Sequence, residues 1–170
     1  MKKPSVTELI KLLDKPALMY WANKQGLAGI DIKTERKKWL NDGTSMHSQV
    51  EEYVKNKTPF LNKDHQDNFD KFIFDKEVLF LEKKIETEYF TGRVDICYKQ
   101  NDKIFIGDFK NNQTSLYFEN KLQLVSYSMA ENCDSFAIIS MPSFEIIPVI
   151  IDDRKPFEEI IKALSIIYNY

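Results

Sequence analysis

The chain is poor in cysteine and in net charge, and it has no long apolar run. Only 2 of its 170 residues are cysteines, Cys97 and Cys133, which argues against a disulfide framework or a cysteine metal cluster and favours a reducing cytoplasm. No segment approaches the ~20 apolar residues that a membrane-spanning helix needs, and the first residues lead into an amphipathic segment rather than an apolar signal core. We therefore expect a soluble, cytoplasmic protein with no membrane partner.

The formal net charge is only −2, from 24 basic and 26 acidic residues. That balance excludes a protein that coats nucleic acid through bulk charge, but not a nuclease whose positive potential is local. The densest basic cluster, Lys33 with Arg36, Lys37 and Lys38, is typical of a solvated helix face. With 43% hydrophobic residues, the chain is large enough to bury the core of one domain.

Hydrophobic periodicity and turn residues divide the chain into a mostly helical first third and a sheet. We predict a single domain over residues 1–170, with a helical N-terminal part at 5–75, a sheet core at 78–151 and a C-terminal helix at 156–169. The strand, helix, strand order between Lys103 and Met141 implies a crossover between parallel strands. The predicted fold class is therefore α/β (α+β), with a central mixed β-sheet flanked by helices.

One stretch, Gly92 to Lys110, carries the most distinctive pattern. Two alternating runs flank a cluster of turn-forming residues and predict a β-hairpin. If the residues on either side of the turn face each other, paired residue numbers sum to 203. That register places two pairs of charged residues opposite each other: Asp95 with Asp108, and Arg93 with Lys110.

Alternation assigns the hairpin an apolar face and a charged face. The predicted apolar face comprises Val94, Ile96, Tyr98, Phe105 and Phe109. On the charged face, directly opposed carboxylates destabilise a sheet, and a bound divalent cation is the commonest reason to keep them. The alternative is a pair of strands whose charges are simply solvated.

Two further pairs lie one helical turn apart, so each pair shares a helix face. His47 and Glu51 form either a surface pair or part of a functional centre. Gln123 and Tyr127 repeat that spacing on a helix predicted after the hairpin. We treat all four as candidate site residues.

Four motifs follow one another in the order of a known nuclease superfamily. They are Gly43-Thr44-Ser45-Met46-His47, Gly92-Arg93-Val94-Asp95, Asp108-Phe109-Lys110 and Gln123-Leu124-Val125-Ser126-Tyr127. Together they resemble the PD-(D/E)XK superfamily, in the branch of RecB-type nuclease domains and small CRISPR-associated exonucleases. The N-terminal runs 4–10 and 16–26 are similar to the start of the mitochondrial genome maintenance exonuclease and related phage exonucleases.

The resemblance implies a restriction-endonuclease-like fold and a role for each matching residue. It implies that Asp95 and Asp108 are metal ligands, with His47, the Phe109 backbone carbonyl and Glu51 as further ligand candidates. Lys110 matches the catalytic lysine, and Gln123 and Tyr127 match a helix motif that contacts substrate or orients that lysine. Candidate substrate contacts are Trp21, which is alternatively a core aromatic, Arg93, which is alternatively a surface residue, Ser5 and Lys37.

The implied activity is Mg²⁺- or Mn²⁺-dependent hydrolysis of DNA from single-stranded ends, in DNA processing, repair or recombination. The iron–sulfur members of the branch carry four cysteines, so no iron–sulfur cluster is expected here. An endonuclease built on the same core and a non-catalytic nucleic-acid-binding module are the alternatives.

Overall fold

The chain forms a five-stranded mixed sheet with helices packed on its two faces. A computed structural model describes residues 3–13 and 16–170, apart from the side chains at positions 16–18, 21, 32–33 and 35–44. The helices are α1 (Val6–Ile10), α2 (Pro16–Leu27), α3 (Ile32–Asn56), α4 (Lys63–Ile73), α5 (Phe118–Ser128) and α6 (Lys155–Tyr168). The strands are β1 (Glu77–Glu86), β2 (Thr91–Gln100), β3 (Lys103–Asn111), β4 (Ser135–Met141) and β5 (Glu145–Val149).

The strands lie in the order β1-β2-β3-β4-β5. All neighbours are antiparallel except β3 and β4, which are parallel and joined by α5, so the predicted crossover is confirmed. Pro148 lies on the edge strand β5, where its missing N–H costs no interior hydrogen bond. Within residues 3–13 and 16–170, no helix is both long enough and apolar enough to cross a membrane.

Two apolar clusters hold helices to the two faces of the sheet. One contains buried residues of α1, α5 and α6, and the other contains buried residues of α3 and α4. Strand β4 contributes to both, because Ile138 packs in the first cluster while Ala137 and Ile139 pack in the second. This burial on both faces explains why β4 reads as an almost continuous apolar run.

The predicted hairpin register is confirmed along the paired part of β2 and β3. Every pair from Gln100–Lys103 to Ile96–Gly107 sums to 203. The ladder ends at Ile96–Gly107, so the two expected pairs beyond it, Asp95 with Asp108 and Arg93 with Lys110, are wrong as ladder pairs. On its other edge, Arg93 pairs with Lys84 of β1.

The expected apolar face of the hairpin also needs one correction, at Val94. Ile96 packs in the α3 and α4 cluster as expected, whereas Val94 packs in the opposite one with α1, α5 and α6. The change of face coincides with Glu82 on the neighbouring strand, whose φ is +49°. Glu82 lies between the pairs Leu81–Ile96 and Lys83–Val94, and a residue in the left-handed region interrupts regular alternation.

Candidate metal centre

A cleft of about 720 Å³ lies beside the ends of β2 and β3. Its lining includes eight residues that the sequence nominated: Ser5, His47, Arg93, Asp95, Asp108, Lys110, Gln123 and Tyr127. Phe109, which lies between the two charged residues of β3, also lines it. The fold therefore brings together side chains from two strands, two helices and one helix cap.

Asp108 and Lys110 lie on the same side of β3 because side chains two apart share a face. Asp108 is fully buried, and its Oδ2 lies 2.5 Å from Nζ of Lys110. Burial on its own lowers the pKa of Lys110, but the charge and hydrogen bond of Asp108 outweigh it, and the pKa is raised. The lysine side chain is therefore a positively charged hydrogen-bond donor in this arrangement.

Asp95 is the second buried carboxylate. Its Oδ2 accepts a hydrogen bond of 2.8 Å from the backbone N–H of Phe109. Burial, and then the charge of Asp108, raise the pKa of Asp95 to about 8, and the positive charges of His47 and Lys110 offset only part of that rise. The nearby positive charges therefore do not fully balance the negative charges of Asp95 and Asp108.

Gln123 connects the residues of β3 with those of α5. Its Nε2 donates to Oδ1 of Asp108 at 2.8 Å and to the hydroxyl of Tyr127 at 2.6 Å, while its Oε1 accepts from Nζ of Lys110 at 3.2 Å. The i, i+4 spacing on α5 makes this possible by placing Gln123 and Tyr127 on one face. Burial, followed by the charges of Asp108 and Asp95, raises the pKa of Tyr127, which keeps the phenol protonated.

His47 reaches the same cleft from the helical layer that covers the other face of the sheet. Its ring packs edge-on against Phe109, with centroids 5.4 Å apart, and its Nδ1 lies 3.0 Å from Oε1 of Glu82. Burial lowers the pKa of His47, but the hydrogen bond to Glu82 and the charges of Asp95, Glu82 and Asp108 outweigh that effect, and the pKa is raised. His47 is thus held by a carboxylate and surrounded by negative charge.

Glu82 belongs to this centre, although the family resemblance matches it only loosely to an acidic position and it was not among the predicted ligands. Its side chain is only 10% exposed, and its other oxygen lies 3.4 Å from a guanidinium nitrogen of Arg93. Burial raises the pKa of Glu82, but the hydrogen bond and charge of His47, together with Arg93, lower it below its usual value. Glu82 lies opposite Asp95 because β1 pairs antiparallel with β2, and the sequence of the hairpin alone does not predict that pairing.

The donor set fits a divalent cation. One ligand atom from each of His47, Glu82 and Asp95 lies within 4.8 Å of the others. Two ligands of one Mg²⁺ ion stand at most about 4.2 Å apart, since each lies about 2.1 Å from the ion, so a small tightening would complete the contacts. In addition, the buried Oδ2 of Asp108 faces the Lys110 ammonium at 2.5 Å and has no other donor among the described residues.

Other candidate residues stand apart from this centre. Glu51 lies outside that group of three, and its carboxylate is 2.5 Å from the ammonium of Lys55, one turn along α3. Ser5 lines the cleft but caps α1, accepting from the Glu8 N–H at 3.2 Å in a capping box. The side chains of Trp21 and Lys37 lie outside the described residues.

Comparisons with known proteins identify no family for this chain. No protein-family model matches the chain, and no curated protein matches it at a significant level. Among solved structures, one described as "Crystal structure of SSO0001" aligns with 73% of this chain and 74% of its own, with 14% identical residues and a TM-score of 0.36. A likeness that weak carries no argument about fold or function.

Proposed function

We propose that the protein is a metal-dependent DNA exonuclease of the PD-(D/E)XK superfamily, RecB-type branch, which acts in the cytoplasm on single-stranded ends. One observation carries the proposal: Asp95 and Asp108 are buried beside each other, with Lys110 two residues further along the strand and His47 at the same cleft. Burying two carboxylates together costs stability, which favours a functional reason for keeping them.

The proposed cofactor is Mg²⁺ or Mn²⁺, held by His47, Glu82, Asp95 and Asp108, with the Phe109 carbonyl as a further ligand. Carboxylate oxygens suit both ions, and the imidazole favours the softer Mn²⁺. When bound, such an ion supplies a Lewis acid at the phosphoryl oxygen and lowers the pKa of a coordinated water. The raised pKa of Asp95 supports this assignment, since a divalent charge would offset the repulsion between the carboxylates.

The protein groups then have separate tasks. The charged Lys110 orients water and stabilises negative charge that develops on the phosphate, which is the usual role of a preorganised cation. Gln123 positions both Lys110 and Asp108 through the two ends of its carboxamide. Arg93, which is half exposed at the rim of the cleft, is placed to bind a phosphate of the substrate strand.

End-labelled single-stranded, duplex and closed circular DNA tests the proposal directly. With Mg²⁺ or Mn²⁺, the protein should degrade linear single strands, and it should degrade nothing with a chelator or as the Lys110→Ala variant. Cutting of closed circles would indicate an endonuclease instead. Metal-dependent binding without cleavage of any DNA or RNA would refute catalysis and favour a binding module.

A further inference from the structure

Two cationic residues, Lys84 and Arg93, line the cleft beside the metal centre. They lie directly opposite each other on the antiparallel strands β1 and β2. Side chains of such a pair project from the same face of the sheet, with Cβ atoms roughly 4.5 to 5.5 Å apart. We call these two residues the basic pair. Like charges placed directly opposite each other destabilise a sheet, so the basic pair favours a bound anion as the reason for keeping them.

The acidic residues nearest to Lys84 along β1 have other partners. Glu82, two residues before it, has one oxygen 3.4 Å from Arg93 and the other in the metal centre. Glu86, two residues after it, pairs with the Lys3 ammonium at 2.6 Å. In the part of the chain that the structure describes, no carboxylate pairs with the Lys84 ammonium. The charge of Lys84 is therefore available to a ligand in the cleft.

Arg93 also keeps much of its capacity to bind an anion. Its contact with Glu82 uses one guanidinium nitrogen and is long, at 3.4 Å, and its side chain is 54% exposed. A guanidinium carries several N–H donors in a planar fork that matches a phosphate, whereas an ammonium acts as a point charge. The basic pair thus combines two complementary ways of holding one phosphate.

The basic pair lies a short step along β2 from the metal centre. Arg93 precedes Asp95 by two residues on that strand, and both line the same cleft as Lys84. A strand rises about 3.3 Å per residue, so the backbones of Arg93 and Asp95 are about 7 Å apart. Neighbouring phosphates of an extended single strand are separated by a similar distance. A strand with one phosphate at the metal centre can therefore place the next phosphate at the basic pair.

We propose that Lys84 and Arg93 together bind the phosphate next to the one on which the metal centre acts. This inference rests on the proposed nuclease function. It gives Lys84 a role in substrate binding and specifies which phosphate Arg93 contacts. Such a subsite requires a charged phosphodiester beside the bond that is cut, so the substrate class is a single-stranded oligonucleotide rather than an isolated phosphodiester.

The salt dependence of binding tests Lys84 without any hydrolysis. Fluorescence anisotropy of a labelled single strand is measured in a chelator over a series of salt concentrations. Each phosphate contact contributes about 0.7 to the slope of log K against log salt for a single strand. Lys84→Gln should therefore reduce the wild-type slope by about 0.7, and an unchanged slope would overturn the proposal. The matched control is Lys103→Gln, because Lys103 is exposed at the opposite end of β3 from Lys110, and its slope should equal that of wild type.

A neutral-phosphate scan locates the contact on the strand. Short single strands each carry one uncharged methylphosphonate, moved one position at a time, and cutting of the first bond from a labelled end is followed with Mg²⁺. For the wild type, KM should rise about 10-fold when the methylphosphonate replaces the phosphate next to the cleaved one on one side, with kcat nearly unchanged.

The same scan with Lys84→Gln shows whether the contact is direct. The variant should raise KM about 10-fold on the unmodified strand. At the sensitive position, the variant and the methylphosphonate together should raise KM by less than the product of their separate effects, because both remove the same interaction. Independent effects at every position would refute a direct contact between Lys84 and that phosphate.

The two measurements separate this inference from the proposed function. If no strand is hydrolysed, the nuclease function fails, whereas a slope reduced by about 0.7 still supports Lys84 as a phosphate contact. If DNA is hydrolysed while neither the salt slope nor KM responds to Lys84→Gln, the subsite is overturned and the nuclease function stands.

Discussion

Replacing Asp95 by asparagine should make the metal-free protein more stable while abolishing its metal response. Asp95 is buried, and its neighbour Asp108 is fully buried. Two like charges about 5 Å apart in a medium with an effective dielectric constant of about 20 repel by about 3 kcal/mol. Lys110 and His47 offset part of that repulsion, so we expect a net gain of about 1 to 2 kcal/mol in the free energy of unfolding.

The gain should depend on pH in a definite direction. The folded-state pKa of Asp95 is raised to about 8, so the folded protein holds this proton more tightly than the unfolded chain does. The wild-type protein therefore loses stability as pH rises between about 4 and about 8. The asparagine variant has no such proton, and its advantage should be small near pH 5 and largest above about pH 8.

Thermal unfolding in a chelator measures the difference. A gain of 1 to 2 kcal/mol corresponds to a rise in Tm of about 2 to 8 °C for a chain of this size. Adding Mn²⁺ should then raise the Tm of the wild type and leave the variant nearly unchanged. Asp102→Asn, the same replacement at an exposed turn residue, is the control and should shift neither. A metal-free Asp95→Asn protein that melts below wild type above about pH 8 would refute the electrostatic reasoning.

Three further substitutions test separate parts of the account. Glu82→Gln should weaken Mn²⁺ binding about 10- to 100-fold by calorimetry, and unchanged affinity would remove Glu82 from the ligand set. Gln123→Ala should lower kcat about 10- to 100-fold with little change in KM, because the Gln123 side chain positions Lys110 and Asp108. A change confined to KM would indicate a substrate contact instead. Gly107→Ala should destabilise the fold by about 1 to 3 kcal/mol in urea unfolding, because the new Cβ would lie 2.4 Å from the buried Ile139 side chain, and an unchanged midpoint would contradict that clash.

Local patterns in the sequence predicted the hairpin and its charged end. Turn residues and alternation determine a register together, and the observed pairs from Gln100–Lys103 to Ile96–Gly107 match it. The crossover from β3 through α5 to a parallel β4 was also predicted, because the order strand, helix, strand implies it. The i, i+4 spacing on a helix likewise predicted the shared face of Gln123 and Tyr127 on α5.

Features that depend on distant parts of the chain were not predictable in this way. Glu82 joins His47 only because β1 pairs with β2 and α3 packs over the sheet, and neither contact is local in sequence. The positive φ of Glu82 and the change of face at Val94 both depart from regular strand geometry, so alternation alone does not anticipate either of them. Glu51 has the spacing of a ligand beside His47, yet its nearest partner is Lys55 on the same helix.

The most direct test of the metal-dependent nuclease is a single time course on end-labelled linear single-stranded DNA. Mg²⁺ is withheld with a chelator and then added in excess, for the wild type and for Asp108→Asn in parallel. The account predicts no cleavage before Mg²⁺ is added, progressive shortening of the strand by the wild type afterwards, and an intact strand with Asp108→Asn. Shortening in the chelator, or equal shortening by both proteins, would contradict it.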